Sequence, residues 1–141
     1  MKWVTRHHAR VDRIACPWLI RNFIDKEAQF LFVPPEEVLA AAEREGALSF
    51  DAPNARYTHR DGKCSFETLM EEHKLADPAL KKLALIVHGA DVASDINITP
   101  QSAGLMAIAD GFRLISRDDF DNMERQFAVY DALYAWCKEQ S

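Results

Sequence analysis

Residues 2–25, KWVTRHHARVDRIACPWLIRNFID, decide how the chain begins to fold. The first five read as a short strand. DRIACPWLIRNFID then reads as a helix, with Cys16, Leu19, Ile20 and Phe23 on one face. Asp12 is a candidate N-cap, but Pro17 lies too deep for an undisturbed helix starting there. Either the helix begins at Pro17 with Cys16 at the cap position, or its first turn is kinked. The same stretch concentrates positive charge. Residues 1–21 hold Lys2, Arg6, Arg10, Arg13 and Arg21 against Asp12 alone, in a chain of formal net charge -5. Such asymmetry marks either a local anion site or arginines that neutralise carboxylates elsewhere in the fold.

Working outward, strands and helices alternate through the first half. AQFLFVP (28–34) reads as a buried strand, and PEEVLAAAEREG (35–46) as a helix stopped by Gly46. ALSFDAP (47–53) and ARYTH (55–59) read as strands around a Pro53-Asn54 turn. The second half is helical. SFETLMEEHKL (65–75) puts Phe66, Leu69, Met70 and His73 on one stripe, with Ser65 as cap. DPALKKLALIVHGADV (77–92) has a proline just inside its start and buries Leu80, Leu83, Ala84 and Val87. The helix after Thr99 has Thr99 as cap and Pro100 at its first position. In the last, Phe120, Met123, Phe127, Tyr130, Tyr134 and Cys137 form an apolar seam. The expectation is α+β: one domain over residues 1–141, a short-strand sheet with helices followed by a helical half.

Composition narrows the function. With 48% hydrophobic and 28% charged residues the chain is that of an ordinary globular domain. No apolar run approaches the roughly 20 residues of a membrane span, so no membrane insertion is expected. MKWVTRHH lacks the apolar core of a secretory signal, which places the protein in the cytoplasm. There, the three cysteines, Cys16, Cys64 and Cys137, read as thiols rather than disulfides. Neither GxGxxG nor GxxxxGK[ST] occurs, so no nucleotide cofactor is expected. The later helices are acidic or apolar, so direct DNA binding is not expected.

Polar residues at core positions suggest chemistry. Asp91 and Asp131 sit among apolar neighbours, where a buried acid needs a partner; the early arginines are the candidates. In YTHRDGKCSFE (57–67), Cys64 precedes a helix start with Arg60 and Lys63 nearby, conditions that stabilise a thiolate. Cys64 and His59 are therefore the candidate catalytic residues, and the expected order of thiol reactivity is Cys64, Cys16, Cys137. His59, Glu67, His88 and Asp91 are candidate ligands for a divalent metal, although no regular ligand spacing is present. Arg6, Arg10, Arg13 and Trp18 outline a pocket for a tetrahedral oxyanion.

WVTR, VDRIACPWLIRNFID, AQFLFVP, FDAP, THRDGKCSFE, LALIVHGAD and YDALYAW together resemble the chromate-resistance domain family, the carboxy-terminal domain of ChrB-type proteins. The resemblance runs from Trp3 to Trp136 and includes Arg6, Asp12, Arg13, Cys16, Trp18, Asp51, His59, Cys64, Asp91 and Tyr130. It implies a bacterial role in chromate tolerance beside a chromate transporter. In longer members an amino-terminal regulatory half precedes this domain, so a regulator is another implied partner. Chromate is a tetrahedral dianion that oxidises thiols, so arginines would bind it and a reactive cysteine could donate electrons. No electron-carrying cofactor motif is present, and a self-sufficient reductase is not expected. Two other readings stand beside this one: a metal- or thiol-dependent enzyme with a different substrate, and an interaction module without a ligand. The acidic surface and the apolar seam would allow a homodimer.

Overall fold

A computed structural model describes residues 1–140. β1 (Lys2–Arg6) is the central strand of a three-stranded sheet, between β2 (Gln29–Val33) and β3 (Leu48–Ser49). Both pairings are parallel: Trp3 faces Phe30 and Leu48, and Val4 faces Leu31 and Ser49. Parallel neighbours need crossover connections. The first is α1 (Asp12–Leu19), and the second is α2 (Val38–Glu45). Strand alternation sends Trp3 and Val4 to opposite faces. Val4 packs with Val38 and Ala41 of α2, while Trp3 joins the main core with α1 and the later helices. α3 (Ser65–Glu72), α4 (Pro78–Asp91), α5 (Ser102–Ile115) and α6 (Asp119–Glu139) complete the α+β domain.

Local chemistry sets most helix ends. Gly46 closes α2 in the left-handed conformation at φ 64°. Asp77 caps α4 by accepting from the Ala79 N–H, with Pro78 next. α4 and α5 touch where Gly89 meets Ser102, so closely that a Cβ at Gly89 would lie 2.3 Å from Ser102 Oγ. Among the described residues, no helix is long and apolar enough to cross a membrane.

Several expectations are corrected. α1 starts at Asp12, runs through Pro17 and continues as a π-helical turn over Ile20–Ile24. Pro17 has no N–H for the Arg13 carbonyl, but the surrounding core holds the helix together; Trp18 and Leu19 are buried. ARYTH forms no strand, only a bridge from Tyr57 to Phe50. Cys64, not Ser65, is the N-cap of α3, and Glu67 reaches back to its N–H at 2.9 Å. α5 starts at Ser102, whose N–H bonds Thr99 Oγ1 at 3.1 Å. On α6, Phe120 is exposed and Gln126 is buried in the seam instead, bonded to Asn122. Asp131 is exposed and accepts from the Trp18 indole at 2.8 Å, not from an arginine. His73 packs against Tyr57, and its Nε2 is buried without a partner.

Candidate functional site

The carboxyl ends of parallel strands open onto a crevice where open α/β sheets bind ligands. Here that crevice collects charge. Arg6 is the last residue of β1, Asp12 the first of α1, and Asp51 lies two residues beyond β3. The loop before α3 contributes His59, and the end of α4 contributes Asp91. Together with Arg10, Val11 and Arg13 they line a cavity of about 270 Å³.

His59 is the hub. Its Nε2 lies 3.1 Å from Asp91, 3.4 Å from Asp51 and 3.5 Å from Asp12. Bonds to Asp12 and then Asp51 and Asp91 push its pKa to about 12 against the opposing effect of burial. The Asp12 carboxyl is also raised, to about 7, first by burial and then by the Asp91 charge. Its oxygens accept the Ser65 N–H at 2.7 Å and the Phe66 N–H at 3.2 Å. A buried acid thus satisfies the first donors of α3. Asp51 adopts φ 46°, in the left-handed region. Burial raises its pKa, but His59, Ser65, Arg13 and Arg6 outweigh that and hold it low. Ser65 Oγ donates to it at 2.7 Å.

The arginines divide between structure and cavity. Arg6 Nε donates to the Asp51 carbonyl at 2.8 Å, and Arg6 Nη2 lies 3.4 Å from the Asp51 carboxylate. Arg10 pairs with Asp110 on α5. Arg13 Nη1 is 3.9 Å from Asp51, and Arg13 Nη2 donates to the His8 carbonyl. Arg13 Nε is buried with no acceptor. Trp18 stands apart from the cavity, 1% exposed and packed against Phe23, Tyr130 and Tyr134. Three arginines of the expected oxyanion set therefore share one wall, and the tryptophan belongs to the core.

The four expected metal ligands fall into two groups. His59 and Asp91 meet in the cavity, whereas Glu67 and His88 meet each other at 2.6 Å. Donor atoms of Asp12, His59 and Asp91 lie within 4.8 Å of one another, a spacing that could hold a metal ion. Asp12 and Asp51 were missed as ligands because they come from distant chain segments, and only the family resemblance singled them out.

The expected thiol chemistry is also corrected. All three cysteines are buried, and none forms a disulfide among the described residues. Burial, followed by the Asp12 charge, drives the Cys64 thiol far above its usual range. The cations expected to lower it are engaged elsewhere: Arg60 pairs with Glu72 and Lys63 with Glu71. Cys16 is raised by burial and Asp12, and Cys137 by burial. An exposed, low-pKa cysteine is not a feature of this fold.

The model of the ChrB C-terminal domain matches residues 3–137. The chain belongs to that chromate-resistance family. It is 37% identical over 136 residues to Protein ChrB of Cupriavidus metallidurans (strain CH34), covering 94% of this chain. It spans 40% of the length of that relative. No solved structure matches. Arg6, Asp12, Arg13, Asp51, His59 and Asp91 all line the cavity of about 270 Å³.

Proposed function

We propose that the domain supports chromate tolerance by holding a cation and a small tetrahedral oxyanion side by side in this cavity. Asp12, His59 and Asp91 take the cation, with Asp51 supporting His59. Carboxylate oxygens and one imidazole suit a hard or borderline divalent ion, and carboxylates equally suit a trivalent ion such as reduced chromium. Arg6 and Arg13 take the oxyanion, chromate or its isostere sulfate, through guanidinium N–H groups.

One observation carries this reading: three carboxylates from three elements converge on one imidazole while guanidinium groups line the same cavity. Three buried or half-buried acids around one histidine are costly without further positive charge. The orphaned Nε of Arg13 adds a donor that lacks an acceptor, and buried donors are ordinarily satisfied. The burial of all three thiols argues against direct reduction by cysteine, so binding rather than electron transfer is the activity proposed. Such a domain would act in the cytoplasm, beside a transporter or a regulator.

The test is sulfate and chromate titration of the protein with and without added divalent ion. Arg13→Ala should weaken anion binding by about tenfold to a hundredfold, the consequence of losing roughly 1.5–3 kcal/mol of charge-assisted hydrogen bonding. A folded protein with no affinity for either anion, with or without a cation, would leave a ligand-free interaction module as the better reading.

A further inference from the structure

At the N-terminus of α3, in a group that does not include His59, three donor atoms of different chemistry meet. Cys64 Sγ, a Glu67 oxygen and a His88 nitrogen lie within 4.8 Å of one another. Glu67 Oε1 is 2.6 Å from His88 Nδ1, and His88 Nε2 is 2.6 Å from Asp95 Oδ2. Cys64 and Glu67 open α3, His88 lies in the last turn of α4, and Asp95 ends the 3-10 turn that follows. Cys64 is 0% exposed, and the side chains of His88 and Glu67 are 8% and 20% exposed.

We propose that Cys64, Glu67 and His88 form a second metal site, separate from the Asp12–His59–Asp91 cluster, for a borderline transition metal of the zinc class. The donor set is the first reason. A thiolate with an imidazole selects zinc-like ions over magnesium or calcium, which prefer oxygen alone. Three protein ligands with one position left open is also a common zinc arrangement.

The second reason is His88 itself. A neutral imidazole donates through only one nitrogen, yet both nitrogens of His88 face carboxylates. Burial opposes protonation, but bonds to Asp95 and Glu67 raise the His88 pKa and favour the ring protonated on both nitrogens. A metal takes the place of the Nδ1 proton beside Glu67 while Nε2 goes on donating to Asp95. A metal-bound histidine is typically held this way, its far N–H fixed by a carboxylate. Asp95 is thus a positioning residue.

A dication at this point replaces the Cys64 thiol proton and any proton on Nδ1, and both pass to the buffer. Glu67 also forms part of the wall of an open groove of about 380 Å³ with Lys63, Met70, Glu71 and Lys74, which gives the ion a way in. The two sites share no ligand, so this inference does not rest on the cation–oxyanion reading. They are neighbours through α3, where Ser65, next to Cys64, donates its N–H to Asp12, and through α4, which carries both His88 and Asp91.

The experiment is cobalt(II) titration of chelator-treated protein, read by the near-ultraviolet thiolate-to-cobalt charge-transfer band. That band reports sulfur ligation and is silent for the sulfur-free His59 cluster. The expected result is one equivalent of band, displaced by zinc and retained in Cys16→Ser, Cys137→Ser and His59→Ala. Cys64→Ser should abolish it. Asp95→Asn should weaken cobalt binding about tenfold to a hundredfold while keeping the band at saturation. Folded parent protein without the band at saturating cobalt overturns the proposal. So does a band that survives in Cys64→Ser or disappears in folded Cys16→Ser. Should Cys64→Ser fail to fold, the Cys16→Ser/Cys137→Ser double variant decides, because Cys64 is then the one remaining thiol. A band in that variant supports the site, and a folded double variant without it overturns the site.

Discussion

Replacing Asp12 with asparagine should change stability with opposite signs in acid and in base. Asp12 is 1% exposed, and its oxygens accept the Ser65 and Phe66 N–H groups at 2.7 and 3.2 Å. Even a protonated carboxyl keeps a hydroxyl oxygen that can accept, whereas the asparagine NH2 cannot, so one buried N–H loses its partner, at a cost of about 1–3 kcal/mol. Opposing this is the cost of keeping a charged carboxylate in place. Burial, then Asp91, raises the Asp12 pKa from 3.8 to about 7, equivalent to roughly 4 kcal/mol against the ionised form well above neutrality. Because the folded-state pKa is raised, this group's contribution is complete below 3.8 and is lost as pH rises through about 7. Asparagine does not titrate and escapes that loss. Urea unfolding of metal-free protein should therefore show the variant less stable by about 1–3 kcal/mol near pH 4, and more stable by about 1–3 kcal/mol well above pH 7. The stabilised variant should nevertheless bind cations more weakly, since a ligand is gone. An equal shift in the unfolding midpoint at both pH values would refute the reasoning.

Three further outcomes are expected. Gly89→Ala should lower stability by about 1–3 kcal/mol through overpacking, because its Cβ would lie 2.7 Å from both Ser102 Cβ and Ile98 Cγ2. Thermal melting should show the loss, and Ser102→Gly should recover part of it; a neutral Gly89→Ala would contradict the close approach of α4 and α5. His73 is held neutral by burial, its pKa below 6.5, so its contribution is present above that pH and is lost as pH falls through the lowered value. His73→Phe should flatten the acid side of the stability profile, and an unchanged slope there would count against it. Timed alkylation of the metal-free native protein should label Cys16, Cys64 and Cys137 only at the rate of unfolding, since all three are buried; rapid native labelling of Cys64 would restore the reactive-thiol reading.

Features with a local cause were legible in the sequence. Gly46 ends α2, Asp77 and Pro78 start α4, and the periodic Met123, Tyr130 and Cys137 are buried on α6. Non-local features were not. Gln126 enters the seam with its amide NH2 donating to Asn122, a pairing that hydrophobic periodicity does not reveal. The polar turn Asp61-Gly62-Lys63 suggested an exposed Cys64, but Cys64 is the N-cap of α3 and is fully buried. The site itself was half visible: its arginines, His59 and Asp91 stood out by type. Asp12 and Asp51 acquire meaning only when parallel pairing of β1 and β3 brings their segments together. His59 and His88 turn to different carboxylates, Asp12, Asp51 and Asp91 for the first and Glu67 and Asp95 for the second, which spacing along the chain cannot encode.

The most direct test of the central claim is a manganese(II) titration followed by electron paramagnetic resonance, run with and without sulfate as a redox-inert stand-in for chromate. Manganese favours the oxygen-rich Asp12–His59–Asp91 cluster over a thiolate site. The account predicts loss of the free-ion signal up to one equivalent, tighter binding when sulfate is present, and loss of both effects in Asp91→Asn. A free-ion signal that grows in proportion to added manganese from the first aliquot, with sulfate making no difference, would contradict it.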